Sequence, residues 1–316
     1  MSLSKENKRA LRRPFETGGF LLLKGVVPLL PRNAVVVFAK LAGWFATILP
    51  LPETHYGMKN LDVVFGDSKS KKEKKLILAT SFTTFCQTMM DVFWFSKNPE
   101  KRIPKYVEIE NSPGTELLFS DEAAVCITAH MGSWEIIGQA VALQGADLAS
   151  IAATIKNPTV DRILIEQRER TGQTIIPQKG ALKTLISRFR KNGKAAFVLD
   201  QYTSAKEGGI MVNFLGLPMS VSSAPATLSY RTGTKILLGF CLPQKKGHYR
   251  VFFPRIISPP IFDKKENMEE IVLKLTQEIE DEISEQIMKH PNFWLWSYKH
   301  WRRTHGENYP KNYPVY

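Results

Sequence analysis

Ala123-Ala-Val-Cys-Ile-Thr-Ala129, running directly into His130-Met-Gly-Ser-Trp-Glu135, decides the fold. The first part is a short, nearly continuous apolar run, the signature of a strand buried on both faces of a parallel sheet. Gly132 then offers a turn, Ser133 an N-cap, and a helical pattern continues through about Leu143. Working outward, Leu148 to Ile155 reads as a strand, Val160 to Arg170 as a helix, and Thr174 to Ile176 as a short strand. Ala181 to Arg190 reads as a helix, and Ala195-Ala-Phe-Val-Leu199 as a second buried strand ending at Asp200-Gln201. Lys235 to Leu242 and Tyr249 to Ile257 look like further strands. From Glu266 to Lys289 an amphipathic helix carries Ile271, Val272, Leu275, Ile279, Ile283 and Ile287 on its core stripe. This alternation predicts an α/β fold with a mixed, largely parallel sheet flanked by helices.

The chain of 316 residues is 43% hydrophobic, enough for a substantial core and incompatible with disorder. Cys86, Cys126 and Cys241 are odd in number and far apart, which gives no disulfide framework and fits a reducing compartment. The formal net charge of +13 favours an anionic partner: nucleic acid, an acidic protein, or membrane phosphates. Charge alone does not choose among them.

The N-terminus narrows that choice. Lys5, Lys8, Arg9, Arg12 and Arg13 precede an apolar region from Phe20 to Pro52, interrupted by Lys24, Pro28, Pro31, Arg32 and Lys40. Neither a signal-peptide core nor roughly 20 uninterrupted apolar residues for a spanning helix is present. Ala34 to Leu49 is apolar nearly all round. The reading is a segment in or dipping into a membrane interface behind a basic collar, with a buried core helix or a single-span anchor as alternatives. This separates residues 1–52, collar and apolar segment, from residues 53–316, the α/β domain. Within the latter, Lys69 to Lys75 opens a long amphipathic helix that ends before Pro99 and Pro104.

His130 and Glu135 carry the chemistry. On one continuous helix they would stand about 140° apart, but a turn at Gly132 lets them meet. Glu135 would then hold one imidazole nitrogen while the other faces a substrate, the orienting logic of a catalytic dyad. A structural histidine after a strand is the simpler alternative. Asp200 and Gln201, at another strand end, border the same cleft on this reading; Asp200 orients an acceptor group, locks Arg168 or Arg170, or merely caps a turn. Its substitution is expected to matter less than that of either dyad member. Arg162, Arg168, Arg170 and Lys206 are candidates for phosphate contacts. Gly-x-Ser-x-Gly is absent, as are His-Glu-x-x-His and any His/Cys cluster, which argues against a serine hydrolase and against a metal site. Trp294, Trp296, Tyr298 and Trp301, interleaved with Lys299, Arg302 and Arg303, suit a membrane interface belt or base stacking.

His-x4-Glu after a buried strand resembles the acyltransferase motif of the lysophospholipid acyltransferase superfamily. The whole chain looks most like the bacterial lipid A biosynthesis (lauroyl/myristoyl) acyltransferase family. The features that carry the likeness run in order: Asn60-Leu61 with Val64-Phe65, Ala129-His-Met-Gly-Ser-Trp-Glu135, Asn157-Pro158 with Asp161, and Arg168-x-Arg170-x-Gly172. Then follow Leu199-Asp-Gln201, Asn213-Phe-Leu-Gly216, Leu228-x-x-Arg231-Thr-Gly233 and Pro291-x-x-Trp294-x-Trp296. Two departures concern the acceptor: Tyr298 replaces a usual histidine, and the arginine common before Asn157 is missing, with Lys156 nearest.

The resemblance implies a glycerolphosphate-acyltransferase-like fold and a base-catalysed acyl transfer, with His130 as base and Glu135 as its orienter. Asp200, Gln201, Arg168, Arg170, Lys156 and Arg231 are the implied substrate-binding set. It further implies no cofactor, an acyl thioester donor on acyl carrier protein or coenzyme A, and a lipid A precursor or similar glycolipid as acceptor. A glycerophospholipid or mannosylated lipid is the alternative acceptor, and a non-catalytic lipid binder the alternative function. Expected partners are acyl carrier protein, transiently, and anionic membrane lipids, with no nucleic acid. The expected location is the cytoplasmic face of a bacterial inner membrane.

Overall fold

The computed structural model describes residues 5–301 and 316, with side chains from residue 13 onward. Five helices come first: α1 (Lys5–Val26), α2 (Arg32–Ile48), α3 (Pro52–Phe65), α4 (Lys71–Trp94) and α5 (Pro99–Tyr106). Then β1 (Val107–Ile109), α6 (Pro113–Phe119), β2 (Ala124–Thr128), α7 (Trp134–Leu143), β3 (Leu148–Ala152), α8 (Pro158–Glu169), β4 (Thr174–Pro177), α9 (Ala181–Phe189) and β5 (Lys194–Val198) alternate. A hairpin of β6 (Gly209–Phe214) and β7 (Leu217–Ser222) follows, then α10 (Ala224–Thr232), β8 (Lys235–Pro243), β9 (Tyr249–Ile257) and α11 (Met268–Lys289).

The seven-stranded sheet runs β1-β9-β8-β2-β5-β3-β4, parallel throughout except for the β8–β9 pair. This is the expected α/β architecture. The crossovers from β2 to β3 and from β3 to β4 leave a gap that β5 fills on its return, so β5 lies between β2 and β3. Successive residues of a buried strand feed opposite faces. Thus Val125 and Ile127 join the core that α9, α10 and α11 cover, while Ala124 and Cys126 join the core under α6 and α7.

Local signals set the helix ends. Ser70 accepts from the Glu73 backbone N–H while Glu73 accepts from Ser70, a reciprocal cap that starts α4 after the lysine-rich turn. Asn157 and Asn267 cap α8 and α11 one-sidedly, each side-chain oxygen accepting from two backbone N–H groups of the first turn.

The apolar stretch around residues 34–49 is not uniform in its surroundings. Val35, Ala39 and Gly43 of α2 are buried against the protein, whereas Val37, Phe38, Leu41, Trp44, Phe45 and Ile48 are exposed. The contact face lies on α4 and is so close at Gly43 that a Cβ there would meet the Thr83 backbone N at 2.6 Å. One buried ion pair fixes the docking. The Arg32 guanidinium holds Asp91 of α4, Nη2 donating to Oδ2 at 3.0 Å, and also donates to the Gly247 carbonyl. After α2 the chain turns by 83° into the helical segment 52–68.

Candidate active site

His130 and Asp200 come together because their strands are in register. β2 pairs with β5 so that Ala124 faces Lys194 and Thr128 faces Val198; continuing two residues past each strand end brings His130 opposite Asp200. At the carboxyl ends of adjacent parallel strands, both side chains point out of the sheet edge, where open α/β sheets collect their sites. Asp200 Oδ1 lies 2.6 Å from His130 Nδ1, and Asp200 Oδ2 accepts from the His130 backbone N–H at 2.9 Å.

This corrects the dyad expected from spacing. The carboxylate on the imidazole is Asp200, and Glu135 is engaged elsewhere: Arg168 donates Nε–H to Oε2 at 2.8 Å and Nη2–H to Oε1 at 2.7 Å. The chain does turn at Gly132, whose φ of +60° suits glycine, and a Cβ there would strike the Cys241 carbonyl oxygen at 2.0 Å. Gly132 N–H donates to the Phe293 carbonyl and Ser133 N–H to the Cys241 carbonyl, seating the turn on β8. Glu135 lies in the first turn of α7 as expected, but its partner is on α8. Ser133 stands at the N-cap position of α7 as expected, but its side chain makes no cap hydrogen bond and its buried Oγ has no partner among the described residues.

Asp200 is fully buried and accepts a further hydrogen bond on Oδ2, from Trp294 Nε1–H at 2.8 Å. Burial works against its charge, but His130, His300 and the Trp294 donor outweigh that and hold its pKa below the ordinary aspartate range. For Glu135 burial again opposes ionisation, and the charge and two hydrogen bonds of Arg168 outweigh it. Both carboxyls are therefore carboxylates at neutral pH.

With Nδ1 taken by Asp200, His130 Nε2 faces a cavity of about 700 Å³ whose lining is mostly apolar. Gln201 Nε2 is its neighbour at 3.4 Å, and the Trp134 indole stands edge-on to the imidazole with centroids 4.9 Å apart. Glu135 and Arg168 also line the cavity. The structure thus gathers His130, Glu135, Asp200, Gln201 and Arg168 but not the rest of the candidate set. Arg170 reaches the Ser96 carbonyl, Lys156 is exposed, and Arg231 lies on the outer side of α10 toward Met268. The tryptophan belt is corrected as well. Trp294, Trp296 and Trp301 are buried in the core, with Trp294 braced on Asp200. His300, stacked on Trp294 with centroids 4.1 Å apart, places Nδ1 3.0 Å from the Asp200 carbonyl. Arg302 and Arg303 lie outside the described residues.

A histidine–carboxylate pair thus stands at the carboxyl edge of a mixed sheet, above a mostly apolar cavity, in an α/β protein. It belongs to the bacterial lipid A biosynthesis acyltransferase family, whose model matches residues 5–303. The chain is also similar to the phosphatidylinositol mannoside acyltransferase of Mycobacterium tuberculosis, strains CDC 1551 / Oshkosh and ATCC 25618 / H37Rv. Identity to each is 23% over 175 residues, covering 54% of this chain and 52% of the relative. The match thus spans about half the length of those relatives.

Proposed function

We propose that this protein moves a fatty acyl chain from an acyl thioester, carried by acyl carrier protein or coenzyme A, to a hydroxyl of a lipid A precursor or related glycolipid. The observation that supports this most is the anchoring of His130 Nδ1 by Asp200, which leaves Nε2, with the Gln201 amide 3.4 Å away, on the side of a mostly apolar cavity. In the reaction, the acceptor hydroxyl gives its proton to Nε2 as its oxygen attacks the thioester carbon. The carbon–sulfur bond then breaks, and the imidazolium returns the proton to the departing thiolate, leaving an ester and a free thiol. Asp200 holds the tautomer and stabilises the imidazolium, a role that in general contributes roughly 10²–10⁴-fold together with the base. Glu135 acts through Arg168, fixing the wall beside Trp134. No covalent enzyme intermediate and no cofactor is needed.

The exposed apolar face of α2 supports an interfacial seat on the cytoplasmic face of a membrane, close to such an acceptor. Lys5, Lys8, Arg9 and Arg12 of the expected collar have side chains outside those described. The second reading, a mannosylated lipid as acceptor, is favoured by the likeness to the mycobacterial relative.

The test is direct. Purified protein is incubated with acyl carrier protein or coenzyme A thioesters and either a lipid A precursor or a mannosylated phosphatidylinositol, and ester products are read by mass spectrometry. One acceptor should be acylated, and His130→Ala should lose at least ~10²-fold. Lipid binding without turnover on any pair would instead leave a lipid-binding protein.

A further inference from the structure

His130 and Asp200 stand two residues past the ends of β2 and β5, so groups outside those strands must take up their backbone. The Leu199 N–H still reaches the Thr128 carbonyl at 2.9 Å. Beyond it, the His130 N–H goes to the Asp200 carboxylate, and the His130 carbonyl accepts from the Leu295 N–H at 3.0 Å. The Asp200 carbonyl is met by a side chain: His300 Nδ1 lies 3.0 Å away.

His300 is fully buried, and its other nitrogen, Nε2, lies 2.9 Å from the Leu295 carbonyl. These contacts close a circuit. It runs from the Asp200 carboxylate to His130, from the His130 carbonyl to Leu295, from the Leu295 carbonyl to His300, and back to the Asp200 carbonyl. Carbonyl oxygens only accept, so the His300 ring binds one of its two segments in either neutral tautomer and both as the imidazolium. Its face also stacks on Trp294, with the ring planes 25° apart, and that indole donates to Asp200 Oδ2. His300 thus reaches Asp200 by two routes, the backbone carbonyl and the tryptophan. It is not among the residues that line the cavity, so any effect on a substrate passes through these neighbours.

We infer that His300 is a positioning residue of this site: through the Asp200 carbonyl and the Trp294 ring it sets where the Asp200 carboxylate stands against His130 Nδ1. This rests on the acyl-transfer reading above. The physical ground is the sensitivity of the contact it controls. The 2.6 Å contact between Asp200 and His130 weakens steeply once its angle bends. A carboxylate that drifts also releases its hold on the tautomer, and a ring with its proton on Nε2 is no base toward the acceptor. A misplacement of about 1 Å in such a constellation can cost ~10²-fold in rate. Substrate binding does not pass through His300, so the loss should fall on kcat.

The experiment compares three variants of the full chain. His300→Phe keeps a ring to stack on Trp294 and removes both nitrogens. His300→Asn puts an amide nitrogen near the place of Nδ1, toward Asp200; His300→Gln puts one near the place of Nε2, toward Leu295. In His300→Phe, kcat should fall roughly 10–10²-fold while the KM for thioester and acceptor stays within about twofold. His300→Asn should recover most of that loss and His300→Gln little of it. The His130 tautomer, read from its ring ¹⁵N shifts, supplies a measurement independent of turnover. The proton should sit on Nδ1 in the wild type and in His300→Asn, and be divided between the two nitrogens in His300→Phe. A folded His300→Phe protein with an unchanged tautomer, or with kcat within about twofold of wild type, overturns the inference. Equal recovery by asparagine and glutamine also overturns it, since that marks a structural role alone; this comparison decides the matter if the phenylalanine variant misfolds. Absence of turnover with any thioester defeats the acyl-transfer reading, while the tautomer still shows whether His300 positions Asp200.

Discussion

Asp200 Oδ1 sits 2.6 Å from His130 Nδ1, while Oδ2 of the same carboxylate takes N–H groups from the His130 backbone and the Trp294 indole. One buried side chain thus fixes the ring, the backbone at its root and the tryptophan behind it. The imidazole is held at Nδ1, and Nε2, beside the Gln201 amide at 3.4 Å, is the nitrogen left to meet a substrate.

Asp200→Asn should therefore be as damaging as His130→Ala, with kcat/KM lower by roughly 10²–10⁴-fold. An amide that turns its NH2 toward Nδ1 forces the proton onto Nε2 and removes the base. Steady-state kinetics alongside circular dichroism check this. A folded Asp200→Asn protein within about tenfold of wild type would sink the assignment. The ranking expected from spacing, with Asp200 below Glu135, is reversed here, so Glu135→Gln should be the milder change.

Arg168→Met should destabilise the fold by about 3–5 kcal/mol at neutral pH, because it strands the Glu135 carboxylate in a largely buried site. The double variant with Glu135→Leu should recover most of that loss. The pH dependence has a definite sign. Burial raises the Glu135 pKa, Arg168 lowers it more, and the net value falls below that of the unfolded chain. The pair's contribution is thus present above the ordinary carboxylate range, near pH ~4.3, and fades as pH falls through the folded value. Urea unfolding should show the deficit of Arg168→Met shrinking in acid; a deficit independent of pH contradicts the account.

The apolar runs on either side of the site were legible because a doubly buried strand leaves an uninterrupted signature, as in Ala123–Ala129 and Ala195–Leu199. The partnership of His130 with Asp200 was not, since it depends on β5 returning between β2 and β3, a choice made by the whole sheet. The spacing of His130 and Glu135 drew attention to the nearer carboxylate, whereas the sheet register delivered the distant one. Trp294 illustrates a different failure. Aromatic residues interleaved with cations look alike whether they face a membrane or a core, and only packing decided for the core. The β6–β7 hairpin had a readable signal, the two-residue loop Leu215-Gly216 with φ of +51° and +81°. Leucine at the first loop position, where asparagine or glycine is usual, hid it.

Glu280 on α11 is fully buried, and neither carboxyl oxygen has a hydrogen-bond partner among the described residues. Burial first, then the charges of Asp200 and Asp281, push its pKa well above the ordinary range. In that state the folded protein keeps a proton that the unfolded chain has already released. Stability should therefore fall as pH rises from the ordinary glutamate range through the raised value. Glu280→Gln lacks that loss, so its Tm relative to wild type should climb between pH 4 and pH 8, whatever the fixed cost of the buried amide. A Tm difference that stays flat across that range would count against a protonated Glu280.

Gly43→Ala should separate α2 from α4. The Cβ would lie 2.6 Å from the Thr83 backbone N and 2.7 Å from its Cα, and backbone does not move aside as a flexible side chain would. Overpacking of this kind costs typically about 1–3 kcal/mol, readable as a lower urea midpoint. A neutral result would mean that the helices do not rely on this contact.

The exposed face of α2 makes a final expectation about the membrane. Phe38, Trp44 and Phe45 are each about half exposed, at 50%, 55% and 53%, on the side of α2 away from α4. Burying that remaining surface in an acyl boundary should contribute roughly 1–2 kcal/mol per ring. The combined change to serine should therefore strip the protein from uncharged vesicles. Neutralising Lys5, Lys8, Arg9, Arg12 and Arg13 should act differently, lowering affinity only for anionic vesicles and only at low salt, by about 1 kcal/mol per charge near the surface. The 83° bend between α2 and the segment 52–68 suits helices that lie along or dip into an interface. Depth-dependent quenching of the indole fluorescence lost in Trp44→Phe should place Trp44 about 5–10 Å below the headgroups. Quenching strongest at the bilayer centre would make the bent pair a span and overturn the interfacial seat.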